Sequence, residues 1–353
     1  MSIDIVEILN EPKMTKVCAP MVRYSKLAFR ELVRQYNCDI CFTPMILADS
    51  FVQSEKARNN EFTTNSYDKP LVVQFAAKNT TDFLKAAELI YPYSNGVDLN
   101  CGCPQRWAIK DGYGVDLLSK PELIRDLVLQ VRNKIKSPFT VSVKIRILKD
   151  INKTIELCRI LEKTGVSFLT VHARTPQMRK EPIDIDALKL INESVDIPVI
   201  ANGDVKTLDE ANKLWNITKS QGVMVANGLL TNPALFSGVD TTPISCVQNW
   251  IDITEIIPTN FMTMHHHLVF MLEKIIPKNQ RVIFNSLQNK NDVYHYLNEH
   301  LDIKPSNNIN KNLKPISCVY KNDIIAEKKN SYTDDSSFEL LTNFFDDNLN
   351  FSG

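Results

Sequence analysis

The residues of this chain best able to do chemistry fall at the ends of short apolar, β-branched runs. One run leads into Cys18-Ala19-Pro20-Met21-Val22-Arg23, and another carries Gln74. A third leads into Asp98-Leu99-Asn100-Cys101-Gly102-Cys103-Pro104. Beyond it stand Lys144 and Arg146, then His172 and Arg174, then Asn202-Gly203-Asp204, then Ala226-Asn227-Gly228. A satisfied core residue explains any one of these. Together they point to a shared site, because a buried polar group costs free energy unless it is paired. Asn-Gly turns let backbone N–H groups approach an anion such as a phosphate. Lys144, set between Val143 and Ile145, needs an anionic partner once buried.

The elements that must position these groups follow from the hydrophobic pattern. Apolar runs at 17–19, 40–42, 71–75, 96–99, 140–145, 168–171, 198–201 and 222–226 alternate with helical periodicities. One such stripe, entered through Pro121, is Leu123, Ile124, Leu127, Val128, Val131 and Ile135; another is Phe83, Ala86, Ala87 and Ile90. Leu208, Ala211, Trp215 and Thr218 form a third. This alternation predicts an α/β fold, a (β/α)8 TIM barrel over residues 1–238, with the site at the C-terminal ends of its strands. A doubly wound sheet would want a glycine-rich fingerprint after the first strand, where CAPMVR stands instead. Gly112-Tyr113-Gly114 follows no strand and reads as a flexible loop. The turns after the seventh and eighth runs lie where such barrels grip a phosphate.

The alternation stops near Gly238. Phe261, Met264, Leu268, Met271 and Ile275 mark one helix, and Val293, Tyr296 and Leu297 another. Residues 239–304 are therefore expected to form a small all-helical domain, followed at 305–353 by a low-order, mobile acidic tail. His265, His266 and His267 fan over about 200° of a helix, so they cannot share one metal, and a solvated or RNA-facing patch is expected. Cys38 and Cys41 form a CxxC with no second pair to complete a zinc site, and read as core thiols. No metal is expected.

Net charge is zero, 41 Lys+Arg against 41 Asp+Glu, but the charge is unevenly spread. Residues 101–180 carry 16 basic against 7 acidic side chains, whereas 331–353 carry five acids and no base. A local basic excess of this kind fits a polyanionic partner. The N-terminus lacks a basic region followed by an apolar stretch, no run is long enough to span a membrane, and the eight cysteines have no framework spacing. A reducing cytoplasm or nucleus, with no membrane partner, is the expected setting.

The strings CAPMVRYSKLAFR, PLVVQFAAKN, VDLNCGCPQRWAIKDGYG, VSVKIR, LTVHART, PVIANGDV and GVMVANGLLTNPALF resemble the tRNA-dihydrouridine synthase family. They are most similar to its eukaryotic branch acting on D-loop positions 20a and 20b. The resemblance is strong over residues 16–238 and loose over 241–304. It implies an FMN-bearing barrel, a helical domain that helps hold tRNA, NADPH or NADH as reductant, and reduction of the uracil C5–C6 double bond. It also implies that Cys103, directly before the proline, is the general acid that protonates C5, a role for which a thiol of pKa about 8.5 is suited. By the same carry-over Ala19, Pro20 and Met21 line the flavin, Gln74 and His172 contact it, and Lys144 faces its pyrimidine side. A reduced flavin, negative near N1 and the C2 carbonyl, is the anion that Lys144 needs. Asn202, Gly203, Asp204, Ala226 and Asn227 surround the ribityl phosphate. Asn100 is expected to hydrogen-bond the uracil, and Arg174 either does so or serves as an ion-pair partner. The family often has Arg where this chain has Asn227, and losing that charge weakens a phosphate grip by about 1–3 kcal/mol unless another base substitutes. A monomer is expected. The rival readings are an FMN barrel acting on a small enone or on dihydroorotate, and a catalytically idle tRNA-binding protein.

Overall fold

The computed structural model describes residues 3–306 and 313–317. Eight of its strands are β1 (Thr15–Cys18), β2 (Ile40–Phe42), β3 (Leu71–Ala76), β4 (Gly96–Cys101), β5 (Thr140–Arg146), β6 (Phe168–His172), β7 (Val199–Asn202) and β8 (Gly222–Val225). Each pairs in parallel with the next, and β8 pairs with β1, which closes the barrel. These runs are mainly apolar because both faces are covered, and all six residues of β3 and of β4, the polar Gln74, Asp98 and Asn100 included, are buried. A two-residue strand, Ile46–Leu47, adds beside Phe75 and Ala76.

Helices Thr80–Ile90, Pro121–Lys134, Ile151–Lys163, Ile185–Asn192 and Leu208–Thr218 fill the crossovers. Their starts are set locally. Asn79, Asp150, Asp184 and Thr207 each accept a first-turn N–H, and Pro121 occupies a position where no N–H is needed. The predicted stripe Ile124, Leu127, Val128 and Val131 is buried, and each aliphatic side chain contributes about 1.5–3 kcal/mol by leaving water.

After the barrel come helices Ile244–Ile256, Phe261–Leu272, Lys278–Asn285 and Lys290–Leu301. They belong to the same compact unit as the barrel, residues 1–318. Here the histidine expectation fails. His265 and His267 are buried, at 4% and 0% exposure, because Phe261–Leu272 lies between its neighbouring helices and the barrel and covers both flanks. His267 stacks on Phe29 of the barrel helix Leu27–Arg34. The tail at 305–353 is expected to be mobile, but the part of it described at 313–317 is not free chain. Ile316–Ser317 pairs antiparallel with Thr64 and Thr63, and Asn65 Nδ2 donates to the Leu313 carbonyl. The acidic stretch 331–353 lies outside the described residues.

Asp68 ties the loop before β3 to helix Leu27–Arg34. Its buried carboxylate accepts from Arg30 Nη2 at 2.7 Å, Arg34 Nη2 at 3.1 Å and Thr64 Oγ1 at 3.1 Å. Against the upward push of burial, the two guanidinium groups hold the acid below its ordinary range. Removing one partner from a buried ion cluster leaves uncompensated charge. Asp68→Ala is therefore expected to cost about 3–5 kcal/mol in urea unfolding, and a loss under about 1 kcal/mol would contradict a structural role for the cluster.

Candidate active site

The strand register assembles the polar residues. Gln74 stands beside Asp98, Asp98 beside Ser142, Asn100 beside Lys144, Arg146 beside His172, and His172 beside Asn202. Residues two apart on a strand share a face, so Asp98 and Asn100 on β4 meet Ser142, Lys144 and Arg146 on β5.

Hydrogen bonds join this row into a chain. Ser142 Oγ donates to Asp98 Oδ1 at 2.6 Å, and Gln74 Nε2 donates to Asp98 Oδ2 at 2.8 Å. Asn100 Nδ2 donates to Gln74 Oε1 at 2.8 Å. Asn100 Oδ1 then accepts from the Gly102 and Cys103 N–H groups at 3.1 and 2.9 Å. Asn100 thus fastens the loop that carries Cys103. From outside, Arg146 Nε donates to the Gly102 carbonyl at 3.0 Å, and its Nη1 reaches the Thr175 and Met178 carbonyls.

Gly112-Tyr113-Gly114 braces the same loop and is not the flexible segment expected. Val115 N–H donates to the Cys103 carbonyl at 3.1 Å, and Gly114 has φ +64°. A Cβ at Gly114 would collide with the Cys103 carbonyl, so only glycine permits this approach. Tyr113 is buried, donates to Asp49 Oδ2 at 2.7 Å, and packs with Ala76 and Ala108 in a cluster reached by Met45, Trp107 and Cys103.

Cys103 is half-buried, and burial pushes its thiol up, against the backbone at Gln105 and the charges of Arg146 and Lys144. It therefore keeps its proton at neutral pH and can donate it. Cys101 is fully buried within β4 and carries no such opening. Cys38 and Cys41 are buried free thiols, their Sγ atoms 3.8 Å apart.

Lys144 finds a neutral partner. Its Nζ donates to Asn202 Oδ1 at 3.0 Å, and Asn202 Nδ2 donates to the Met224 carbonyl. Among the described residues no carboxylate lies within ion-pair distance of it. Burial pushes Lys144 down to about 8, and pushes Asp98 up to about 6. Neutral pH falls between the two, so both are mainly charged. Burial, then the Lys144, Arg146 and Arg174 charges, keep His172 neutral.

Other predicted residues are placed as follows. Ala19 and Met21 are buried and Pro20 is half-buried; Ala19 N–H donates to the Val225 carbonyl, which sets it beside Ala226. Gly203 adopts φ +145° and packs on Ile183, with the His172 ring nearby. Arg174 forms an ion pair with Asp204 and also donates to the Glu181 carbonyl. That pairing neutralises a carboxylate beside the expected phosphate position. Asn227 is exposed, at the first turn of Asn227–Thr231. A cation without a carboxylate, close-approach glycines and a protonated thiol together fit a flavin. Asp98 and Arg146 stand among the strand-end residues read from the sequence but are given no role there, and Ser142 is not named, although the two-residue step from Asn100 and Lys144 points to all three.

Lys144 yields a pH-dependent test. In the unfolded chain it holds its proton to about 10.5, so between pH 8 and 10.5 the unfolded state binds more protons and stability rises with pH. Wild type should gain roughly 3 kcal/mol on Lys144→Met across that window in urea unfolding. A difference independent of pH would contradict a buried ammonium.

A model of the dihydrouridine synthase (Dus) family matches residues 17–315. The chain is 54% identical to a mouse (Mus musculus) protein called tRNA-dihydrouridine(20a/20b) synthase (NAD(P)+)-like, over 84% of this chain and 92% of that one. It is 52% identical to the human (Homo sapiens) protein of the same description, over 85% and 95%. To the Schizosaccharomyces pombe tRNA-dihydrouridine(20a/20b) synthase (NAD(P)+) it is 44% identical, over 79% and 86%. With the NCGCP loop braced as described and the match spanning barrel and helices alike, the chain belongs to the dihydrouridine synthase family.

Proposed function

We propose that this protein is a tRNA-dihydrouridine(20a/20b) synthase, reducing the uracil C5–C6 double bond in the tRNA D-loop with NADPH or NADH as reductant. The observation that carries the reading is Cys103, protonated, half-buried and fastened on three sides beside the cationic Lys144. FMN is the cofactor that suits the site, and when bound it would supply the hydride that adds to C6.

The chain's own groups then have distinct tasks. Cys103 Sγ–H gives its proton to C5, which completes dihydrouridine, and the thiolate recovers a proton from solvent. Lys144 supplies positive charge where the cofactor's pyrimidine side or the uracil gathers negative charge. His172, held neutral, offers a hydrogen bond without adding charge. Asn100 keeps the acid in place, so its part in reading the uracil is joined to a positioning role. Gln74, with both amide ends engaged inside the barrel, offers a cofactor only its remaining valences. Backbone N–H groups near Gly203 and Ala226 are suited to a ribityl phosphate, the Arg174–Asp204 pair screening the carboxylate. Asn227 adds no charge there.

The basic segment 101–180 includes the Cys103 loop, as a polyanionic substrate requires. Among the described residues no helix is long and apolar enough to cross a membrane. We assign the protein to the cytoplasm or nucleus, acting as a monomer.

Purified protein with FMN and NADPH is expected to form dihydrouridine in unmodified tRNA. Cys103→Ala should keep the flavin spectrum and tRNA affinity but lose about 10²–10⁴ in rate. An unchanged rate would remove Cys103 as the acid.

A further inference from the structure

The turn that follows β1 closes on itself. Met21 N–H donates to Ser25 Oγ at 2.9 Å, and the Tyr24 and Ser25 N–H groups both donate to the Met21 carbonyl at 3.0 Å. Within it Arg23 takes a left-handed backbone, φ 69°. That conformation is costly for a residue with a side chain, and it persists where the surroundings over-determine it.

Two groups supply those surroundings. Arg30 Nη1 donates to the Ser25 carbonyl at 2.7 Å. On the other side, His267 Nε2 lies 3.2 Å from the Tyr24 carbonyl. A carbonyl only accepts, so Nε2 carries the proton and donates. Nδ1, buried and without a partner among the described residues, is then the unprotonated nitrogen of a neutral ring. The ring is fully buried, stacked on Phe29 at 4.5 Å and 22°, 4.6 Å from Trp250, and edge-on to Tyr24 at 5.3 Å. Phenylalanine would fill such a slot without burying a polar nitrogen that lacks a partner. What imidazole adds is one N–H aimed at the turn.

We propose that His267 is a positioning residue: through its hydrogen bond to the Tyr24 carbonyl, the C-terminal helices hold turn 21–25 in the shape that receives the flavin. Ala19, Pro20 and Met21 lead into this turn, so its shape fixes where they stand. The inference rests on the flavin reading above. It makes the helical region a part of the cofactor site as well as a surface for tRNA.

The test compares wild type, His267→Phe, His267→Gln and Ser25→Ala, each as full-length protein. FMN affinity is read from the fluorescence of free flavin, and thermal unfolding of the FMN-free protein is recorded alongside. His267→Phe keeps the ring stack and removes the donor. It should weaken FMN about ten-fold, the size of one hydrogen bond, with melting of the FMN-free protein near that of wild type. His267→Gln offers an amide N–H to the same carbonyl and should recover affinity to within about three-fold. Wild-type FMN affinity in His267→Phe overturns the proposal, as does weakening that Gln does not rescue. If His267→Phe fails to fold, Ser25→Ala loosens the same turn without touching the helices. Weakened FMN binding is expected there, and wild-type affinity overturns the positioning role. Wild-type protein that takes up no FMN at all overturns the flavin reading itself, and this inference with it.

Discussion

An apolar barrel that carries charge at its mouth must satisfy the charged groups it buries, and this constraint organises the site. Asp98 and Lys144 sit on adjacent strands, yet each is satisfied by neutral amides and a hydroxyl: Gln74 and Ser142 for the acid, Asn202 for the base. Direct pairing would have quenched both charges. The arrangement instead leaves a cation free to meet an incoming anion. It also makes Cys103 dependent on its neighbours, because the Asn100 amide that completes the Gln74 network is the one that holds the Gly102 and Cys103 N–H groups.

Around that row the fold supplies braces from distant parts of the chain. Arg146 ties the Cys103 loop to the loop after β6. Gly114 lets residues 112–115 press against the Cys103 carbonyl. Arg30, Arg34 and Asp68 join the helix after β1 to the loop before β3. The first two braces hold the Cys103 loop at the barrel mouth, where loops otherwise move most, and the third fixes the helix that follows the first strand.

The barrel was legible in the sequence because strands buried on both faces are mostly apolar, and their helices carry a 3.6-residue stripe. Residues ending the strands stood out for the opposite reason, as polar groups against an apolar background. The histidine trio misled because adjacent residues on an isolated helix face different ways, and only packing against Phe29, Trp250 and Phe284 reveals that two of them are enclosed. Gly112-Tyr113-Gly114 read as loose because glycine signals freedom, whereas here it permits contact. The Arg174–Asp204 pair and the short strand at Ile316–Ser317 depend on partners far along the chain, which leave no local period. Recognition of the NCGCP, VKIR and VHART strings named residues that periodicity alone would not have ranked.

The most direct measurement is a map of dihydrouridine in tRNA from cells lacking this protein. Loss confined to D-loop positions 20a and 20b, restored by wild-type protein but not by Cys103→Ala, is the expected result. Dihydrouridine persisting at both positions would contradict the assignment.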